Sequence, residues 1–407
     1  MMWNYAFRKL AALFMSVAMP LVGTRGRNTE TLEGFHICGR AGEYSKQRGY
    51  QRILIITDQT VTKLGLVDET IAGLRQYGIA YRIFDGVTLE PSQETVLSAR
   101  DAGVDFCADC VVAVGGGSVL DCAKIACIGI KNPKMSPRRL TGLQLGTHPG
   151  TIPLIAIPTT AGTGAEVTVG SMLTDEHKRA KHTAGGPKVK AALCILDGML
   201  TLHCPKELTA CAGIDALSHG LEAYLGPVYQ SRKHRRELME CVRLVLENLP
   251  SACLPRENPT ARLALCRAAN LGGYAINRCT AGYAHSFAHA LGAVYHIPHG
   301  AAIAMVLPCI LRYEKSVCMK KLADLAVYCG LAEGHEPEQT LAERLILAVE
   351  GLIGSCEIAR HPLLSPDYED LTSRIFQDSL LMIPPKVMHK DECLALLKEL
   401  TQPGQGR

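Results

Sequence analysis

Short apolar segments alternate with helical patterns along the first half of the chain, from about residue 50 to residue 200. Composition predicts buried strands at Arg52–Thr57, Ala80–Phe84, Cys110–Val114 and Leu154–Ile157. Helical periodicity lies between them, over Asp68–Tyr77, over Ser92–Ala102 and from Ser118 onward. Strands that alternate with helices in this way form a parallel sheet with crossover helices. The first half of the chain is therefore predicted to be an α/β domain.

Beyond about residue 204 the strand pattern ends and long helical patterns take over. These patterns cover Ser231–Glu247, Thr260–Ile276 and Leu341–Ile353. Pro205 and Gly213 lie near the change. We therefore expect an N-terminal extension over residues 1–26, an α/β domain over residues 27–204 and an all-helical domain over residues 205–407.

The N-terminal extension contains an apolar run, Leu10–Gly23, that follows two basic residues and resembles a short signal peptide. However, no small-residue cleavage site is clear, and Pro20 interrupts the run. Apolar residues recur here at the spacing of one helix face, at Trp3, Phe7, Leu10, Phe14 and Val17. We expect this amphipathic helix to pack on the body of the protein, with a dimer contact or a membrane surface as alternatives. No stretch reaches the ~20 uninterrupted apolar residues of a membrane span.

The charge balance and the cysteines narrow the class of protein. The net charge is +4, from 43 basic and 39 acidic residues, without a basic run interleaved with aromatics, so no nucleic-acid partner is expected. The 17 cysteines are scattered rather than clustered, which indicates reduced thiols in the cytoplasm. Cys107 and Cys110 form a Cys-x-x-Cys, but no second pair lies nearby to complete a zinc ribbon.

A run of three glycines, Gly115–Gly117, follows the predicted strand Cys110–Val114 and precedes the helix at Ser118. Glycines let the backbone turn sharply and approach a ligand closely. The helix N-terminus adds free N–H groups and a partial positive charge. The pattern therefore favours a pyrophosphate site, with a simple tight turn as the alternative. It is not the Gly-x-Gly-x-x-Gly dinucleotide fingerprint.

Two further segments follow predicted strands. Asp58 stands after the strand Arg52–Thr57, where an acid can bind a ribose diol and repel a 2′-phosphate, which favours NAD over NADP. Its alternative role is the N-cap of the next helix. The loop Pro158–Thr168 follows the strand Leu154–Ile157 and is rich in hydroxyls and small residues. Such a loop suits phosphate, ribose or nicotinamide, with a capped loop as the alternative.

The second half carries two clusters of metal-binding residue types. Asp215 and His219 are four residues apart and share one helix face, as do His285 and His289. His299 follows at the start of another element. Each pair alone also fits a surface ion pair, but both together in an apolar region call for a common partner. One carboxylate and several imidazoles suit a divalent first-row metal.

Together these motifs resemble the iron-containing (group III) alcohol dehydrogenases, from about Leu32 to the C-terminus. The resemblance rests on four motifs, Gly115-Gly-Gly-Ser-x-x-Asp-x-x-Lys124, Pro158-Thr-Thr-Ala-Gly-Thr-Gly164, Gly213-x-Asp-Ala-x-x-His219 and His285-x-x-x-His289-x9-His299-Gly300. A departure is Glu90-Pro91-Ser92, where the family often has Asn-Pro-Thr. The resemblance implies a dehydroquinate synthase-like architecture, with a dinucleotide-binding α/β domain and an all-α domain.

The resemblance also implies specific roles for residues. It implies a metal held by Asp215, His219, His285 and His299, with Fe²⁺ first and Zn²⁺ or Mn²⁺ as alternatives. It implies NAD contacts at Asp58, Gly116, Gly117, Ser118, Asp121, Thr159, Thr160, Thr168 and Lys181. His289 is expected beside the nicotinamide as a catalytic residue, rather than on the metal.

The sequence therefore predicts a metal-dependent alcohol dehydrogenase or aldehyde reductase. It is expected to transfer a hydride between NAD(H), or less favourably NADP(H), and a small primary alcohol or diol. The metal acts as a Lewis acid, and His289 with water relays the proton. A cytoplasmic homodimer or higher homo-oligomer is expected. The alternatives are a glycerol dehydrogenase-like or other dehydroquinate synthase-fold enzyme, and a non-catalytic nucleotide-binding module.

Overall fold

The computed structural model describes residues 5–23, 29–143, 150–175, 180–254, 258–359, 361–363 and 365–401. Contacts between residues divide the chain into two compact units. The sheet unit comprises Gly23–Cys204 and Glu257–Tyr274, and the helical unit comprises Met1–Val22, Pro205–Arg256 and Ala275–Arg407.

The described elements up to Cys204 alternate between strands and helices. After helix α1 (Tyr5–Gly23), the strands are β1 (Glu30–Gly34), β2 (Arg52–Ile56), β3 (Ala80–Phe84), β4 (Cys110–Gly115), β5 (Leu154–Pro158), β6 (Gly170–Asp175), β7 (Ala180–Gly185) and β8 (Leu193–Asp197). The helices between them are α2 (Arg40–Arg48), α3 (Gln59–Lys63), α4 (Asp68–Gln76), α5 (Gln93–Asp105), α6 (Gly117–Lys131) and α7 (Pro137–Leu140), with a 3₁₀ turn at Pro187–Val189.

Six of these strands form a parallel sheet in the order β1-β8-β5-β4-β2-β3. From β2 the chain passes to β3, at one edge of the sheet. From β4, the neighbour of β2 on its other side, the chain passes to β5, toward the opposite edge. The direction of the connections therefore reverses between β2 and β4. In open α/β sheets, ligands bind at such a reversal, outside the carboxyl ends of the strands. The predicted cofactor segments after β2 and β4 therefore lie at the expected position.

The four predicted strands are confirmed as β2, β3, β4 and β5. Every residue of β4 and β5 is buried. Strands β1 and β8 and the antiparallel hairpin β6–β7 were not predicted. Strand β1 is mostly polar at an edge of the sheet, and β6 lacks a continuous apolar run, so apolar segments do not reveal them. Strand β8 is a buried apolar run, Leu193–Leu196, so its signal was present in the sequence.

The described elements after Pro205 are helical, as predicted. They are α8 (Lys206–Leu225), α9 (Arg232–Ala252), α10 (Pro259–Cys279), α11 (Tyr283–Tyr295), α12 (His299–Tyr328), α13 (Glu338–Ser355), α14 (Tyr368–Asp378) and α15 (Lys390–Thr401), with a 3₁₀ turn at Ser379–Leu381. Helix α8 is buried along most of its length and packs against α9 and α12. A helix that is surrounded by other helices can carry functional side chains into the interior of the unit.

The division by contacts differs from the predicted boundaries in two places. Helix α1 groups with the helical unit, although the sequence treats it as a separate extension. Residues 257–274 group with the sheet unit, so α10 begins in one unit and ends in the other. The change at Cys204–Pro205 coincides with the predicted one. Helical periodicity does not reveal which neighbours a helix packs against.

The predicted packing of α1 through its apolar stripe is wrong. The stripe faces outward, with exposed fractions of 43% at Phe7, 64% at Leu10, 68% at Phe14 and 61% at Val17, while Trp3 lies outside the described residues. The helix is attached by its other face. There the ring of Tyr5 stacks on His389 at 3.8 Å, and Arg8 Nη2 donates a hydrogen bond to the Met388 carbonyl. Arg8 is buried, at 4% exposed, whereas the apolar stripe is not.

None of the helices among the described residues is long and apolar enough to cross a membrane. All 17 cysteines are free thiols. Cys110 is buried in β4, whereas Cys107 is exposed, so this pair does not present two thiols to one ligand.

Candidate functional site

One face of α8 carries three buried ionisable side chains. Asp215, His219 and Glu222 stand at intervals of four and three residues, which places them on the same side of the helix. Their exposed fractions are only 4%, 4% and 6%. Burial of charged groups in a helix interior is costly unless they are paired or bind a metal.

Three imidazoles converge on one oxygen of Asp215. The Nε2 atoms of His219, His285 and His299 lie 3.4, 3.5 and 3.3 Å from Asp215 Oδ1. His285 comes from α11 and His299 from the first position of α12. The ligand atoms of Asp215, His285 and His299 all lie within 4.8 Å of one another. The structure thus brings together all four predicted ligands.

The donor atoms in this cluster fit a bound cation. Asp215 Oδ1 and His285 Nε2 are buried, and neither has a hydrogen-bond partner among the described residues. Buried polar atoms are normally hydrogen-bonded, so orphaned atoms that face one another call for an additional group. Three imidazole nitrogens and one carboxylate oxygen match the ligands of Fe²⁺, Zn²⁺ or Mn²⁺.

Glu222 orients one of these imidazoles. His285 Nδ1–H donates to Glu222 Oε2 at 2.5 Å, and the Ala284 backbone N–H donates to the other carboxylate oxygen at 2.7 Å. This hydrogen bond engages Nδ1 and fixes the orientation of the ring, so Nε2 faces Asp215 and the shared centre. Carboxylates that hold the second nitrogen of a metal-binding histidine are a common feature of such sites.

The pKa values of these groups follow from burial and from their neighbours in the metal-free chain. Burial alone would raise the pKa of Asp215, but the imidazoles, His219 first, hold it well below its ordinary value. Burial would also raise the pKa of Glu222, but His285 lowers it. Burial lowers the pKa of His219 to about 4. Burial also lowers the pKa of His299, whereas the two carboxylates, Glu222 first, outweigh burial and raise the pKa of His285 to about 10. A metal that binds His285 would therefore displace a proton from it.

Two glycines allow the helices to approach this closely. A Cβ at Gly300 would meet the Cys211 carbonyl oxygen at 2.3 Å, so only glycine lets the start of α12 lie against α8. A Cβ at Gly282 would meet Glu222 Oε1 at 2.8 Å. Packing therefore requires glycine after His299, whereas Gly282, just before α11, leaves room for the Glu222 carboxylate.

His289 does not join the ligand cluster. Its Nδ1–H donates to Asp378 Oδ2 at 3.1 Å, at the end of α14, and its ring lies 5.2 Å from that of His299. The side chains of His289 and His299 are 38% and 39% exposed, whereas that of Asp215 is 5% exposed. The cluster is therefore open to solvent on the side of these two histidines. A substrate can approach from that side.

The sheet unit brings the glycine run and the threonine loop together. Strands β4 and β5 pair with Gly115 opposite Pro158, and the Thr159 backbone N–H donates to the Gly115 carbonyl at 3.0 Å. Gly116 is the N-cap of α6, and a Cβ there would lie 3.5 Å from Thr160. The predicted residues Gly116, Gly117, Thr159 and Thr160 thus meet at one edge of the sheet, beside a helix N-terminus that suits a phosphate.

Three other predicted cofactor residues are engaged with the protein itself. Ser118 Oγ donates to the Leu89 carbonyl. Asp121 and Thr168 both accept hydrogen bonds from Lys124, at 3.1 and 2.8 Å. These contacts position the side chains, and they also use much of their hydrogen-bonding capacity.

Asp58 caps helix α3. Its Oδ1 accepts from the backbone N–H groups of Thr60 and Val61 at 2.8 and 3.0 Å. The alternative role as an N-cap is therefore present, and it places the carboxylate at the carboxyl end of β2. The side chain of Lys181 lies outside the described residues, although its backbone pairs with Thr174 in the hairpin β6–β7.

Three residues with structural roles at these sites were not predicted: Glu222, Asp378 and Lys124. Glu222 could have been found, since it lies seven residues after Asp215 on the same helix face. Lys124 closes the glycine motif and also stands one turn after Asp121. No local signal marks Asp378, because it lies 89 residues from its partner His289.

Comparison with known proteins agrees with this geometry. The family model for iron-containing alcohol dehydrogenases matches residues 28–198, and the model for the C-terminal part of the Fe-containing alcohol dehydrogenase family matches residues 209–401. A 1,3-propanediol dehydrogenase of Citrobacter freundii is 34% identical over 327 residues, which cover 79% of this chain and 82% of the relative. Lactaldehyde reductase of Escherichia coli (strain K12) is 32% identical over 72% of this chain and 76% of its own length.

A solved structure of a 1,3-propanediol oxidoreductase is similar in fold. It is 30% identical, with a TM-score of 0.85 over 92% of this chain and 98% of the other. The chain therefore belongs to the iron-containing alcohol dehydrogenase family. It is an oxidoreductase of a family described as iron-containing.

Proposed function

We propose that Asp215, His219, His285 and His299 hold the iron and that the alcohol or aldehyde is converted beside them. The observation that carries this proposal is the convergence of three Nε2 atoms on one orphaned, buried carboxylate oxygen. Bound there, the metal would supply Lewis acidity that lowers the pKa of an alcohol and polarises an aldehyde. The protein's own part is to keep the Asp215 carboxylate ionised and to turn the imidazoles toward it.

NAD is proposed to bind the sheet unit at the carboxyl ends of β2, β4 and β5. Gly116 and Gly117 leave space for a pyrophosphate at the N-terminus of α6, with Ser118, Thr159 and Thr160 at the same edge. Asp58 offers a carboxylate for the adenosine ribose and disfavours a 2′-phosphate. Lys181 completes the proposed set of direct contacts, whereas Asp121 and Thr168 accept hydrogen bonds from Lys124.

His289 is the proposed catalytic residue. His289 lies outside the cluster of proposed ligands, and its Nδ1–H donates a hydrogen bond to the Asp378 carboxylate. This hydrogen bond leaves Nε2 as an acceptor and holds the ring in one orientation. Because the side chain is partly exposed, His289 can pass a proton between the substrate oxygen and water.

A small primary alcohol or diol is the proposed substrate, and the corresponding aldehyde in the reverse direction. The names of two similar proteins, a 1,3-propanediol dehydrogenase and a lactaldehyde reductase, support this class. The 17 free thiols support the reducing cytoplasm as the compartment. A homodimer or higher homo-oligomer is proposed for the assembly, on the basis of the family resemblance.

Metal removal tests the proposed site. Anaerobically purified protein is stripped with a chelator, then reconstituted with Fe²⁺, Zn²⁺ or Mn²⁺, and assayed with short aldehydes and NADH or NADPH. We expect activity to disappear with the metal and to return most strongly with Fe²⁺. Asp215→Ala is expected to retain no stoichiometric metal in elemental analysis. Activity that survives complete removal of the metal would rule out the proposed role.

A further inference from the structure

Lys124 is a fully buried cationic side chain in the sheet unit. Its side chain is 0% exposed, and its ammonium group donates three hydrogen bonds. The acceptors are Asp121 Oδ1 at 3.1 Å, Thr168 Oγ1 at 2.8 Å and the Gly170 carbonyl at 2.8 Å. All three donors of the ammonium are therefore satisfied. A buried charge that is fully paired is strongly destabilising to disrupt.

Asp121 continues the network to the hairpin β6–β7. Its second oxygen, Oδ2, accepts a hydrogen bond from the Met172 backbone N–H at 2.8 Å. With Oδ1 bound to Lys124, both carboxylate oxygens already have a partner within the protein. A direct contact of Asp121 with NAD would therefore compete with these two hydrogen bonds.

The two side chains take the place of a neighbouring strand. Strand β6 pairs with β7 along one edge. Along the other edge, Lys124 binds the Gly170 carbonyl, Asp121 binds the Met172 N–H, and the Thr174 N–H donates to the Pro91 carbonyl at 3.0 Å. Unpaired backbone groups on a strand edge need such partners. Helix α6 therefore holds the hairpin through two of its own side chains.

The same contacts connect the hairpin to the glycine loop. Lys124 and Asp121 lie within the first two turns of α6, which begins at Gly117. Ser118, in the first turn, is hydrogen-bonded to the Leu89 carbonyl, in the segment that also supplies Pro91. On the hairpin, Thr174 pairs with Lys181, one of the proposed cofactor residues. The position of α6 thus sets the position of the backbone that carries Lys181.

We propose that Lys124 is a positioning residue for NAD, which acts through Asp121 and Thr168 to hold the hairpin β6–β7 against the phosphate-binding helix. These three residues form the Lys124 clamp. In this view Asp121 and Thr168 belong to the clamp and do not contact the cofactor themselves. The inference rests on the proposed binding of NAD beside α6.

The clamp makes a specific prediction about variants. In Lys124→Met, the Kd for NADH is expected to rise about 10-fold or more, while kcat at saturating NADH stays within about 3-fold. Iron content is expected to be unchanged, because the proposed ligands belong to the helical unit. Asp121→Asn keeps an acceptor for the Met172 N–H and loses the charge, so a smaller rise is expected. Since the residues act as one unit, the double variant should bind no more weakly than Lys124→Met.

The experiment uses the full-length protein loaded with iron, titrated with NADH and followed by the fluorescence of the cofactor. Lys321→Met is the matched control, because Lys321 Nζ, like that of Lys124, donates three hydrogen bonds. Its acceptors are the backbone carbonyls of Tyr224, Leu225 and Gly226. This control is expected to melt at a lower temperature but to retain the wild-type Kd for NADH. If Lys124→Met does not fold, Lys124→Gln and Asp121→Asn provide the same comparison.

The outcomes separate the two proposals. If the wild-type protein fails to bind NADH, both the proposed cofactor site and the clamp are wrong. If the wild-type protein binds NADH and Lys124→Met has a Kd within 2-fold of it, the clamp alone is wrong. If the effects of Asp121→Asn and Lys124→Met on binding free energy are additive, Asp121 contacts NAD independently, which also overturns the clamp.

Discussion

Glu222 on α8 holds the Nδ1–H of His285 on α11 at 2.5 Å, although the two residues are 63 positions apart in the chain. The contact joins the helix that supplies two proposed ligands to the helix that supplies a third. It determines which nitrogen of His285 faces Asp215. The orientation of a ligand is thus decided by a residue outside the proposed ligand set.

Replacement of Glu222 tests this relationship. In Glu222→Gln, we expect the affinity for iron to fall by about 10- to 100-fold, because the imidazole loses the carboxylate that orients it and raises its basicity. Metal retention during dialysis against a competing chelator measures the change. Glu314→Gln is the matched control, since Glu314 is also buried and burial raises the pKa of its carboxyl group well above the ordinary value. A neutral amide there replaces a neutral acid, and iron affinity should not change.

The contact between His289 and Asp378 leads to a second prediction. His289→Ala is expected to lower kcat by about 100-fold or more, with unchanged iron content, because general acid–base catalysis contributes on this scale. Asp378→Asn should lower kcat by a smaller factor, since the imidazole keeps its place but loses the tautomer that the carboxylate selects. His296→Asn is the control, because His296 has a φ of 55° that asparagine tolerates. Iron loss from His289→Ala would instead make His289 a ligand.

Asp58 provides a test of cofactor choice. Asp58→Asn is expected to narrow the preference for NADH over NADPH by about 10-fold, because it removes the negative charge that repels a 2′-phosphate. The amide oxygen can still accept from Thr60 and Val61, so the helix cap remains. Ratios of kcat/KM for the two cofactors measure the effect. An unchanged ratio would leave Asp58 with the capping role alone.

The acid stability of the helical unit depends on a charge network between α12 and α13. Glu343 binds Lys315 and Arg312 at 2.7 and 2.6 Å, and these hydrogen bonds lower the pKa of Glu343 from its ordinary value of 4.5. A carboxyl group with a lowered pKa contributes stability above pH 4.5, and this contribution is lost as the pH falls through the folded-state pKa. The side chain is 35% exposed, so solvent screening limits the contribution to about 0.5 kcal/mol.

Glu343→Gln should therefore lower the free energy of unfolding slightly at pH 7 and by less at about pH 4, below the ordinary pKa of 4.5. Chemical denaturation at both values measures the difference between the variant and the wild-type protein. A difference that grows as the pH falls would have the wrong sign for a carboxyl group with a lowered pKa. The test is independent of metal and cofactor.

Much of the fold could be predicted because the decisive signals are local. The apolar strands at residues 52–57 and 110–114 and the helical periods after residue 204 depend only on neighbours within a few turns. The spacing of Asp215 and His219 likewise decides that they share a helix face. The edge strand β1 and the hairpin β6–β7 carried no such signal, because their sequences lack a continuous apolar run.

The sequence by itself determined which residues could meet: two pairs on helix faces, a histidine at a helix start, and loops at the carboxyl ends of parallel strands. Only the tertiary structure decided that three Nε2 atoms share Asp215 Oδ1, that His289 turns to Asp378, and that Lys124 binds the hairpin. It also turned the stripe of α1 outward and buried Arg8. Periodicity specifies a side chain's direction relative to its own helix, whereas its partner depends on which distant segment packs there.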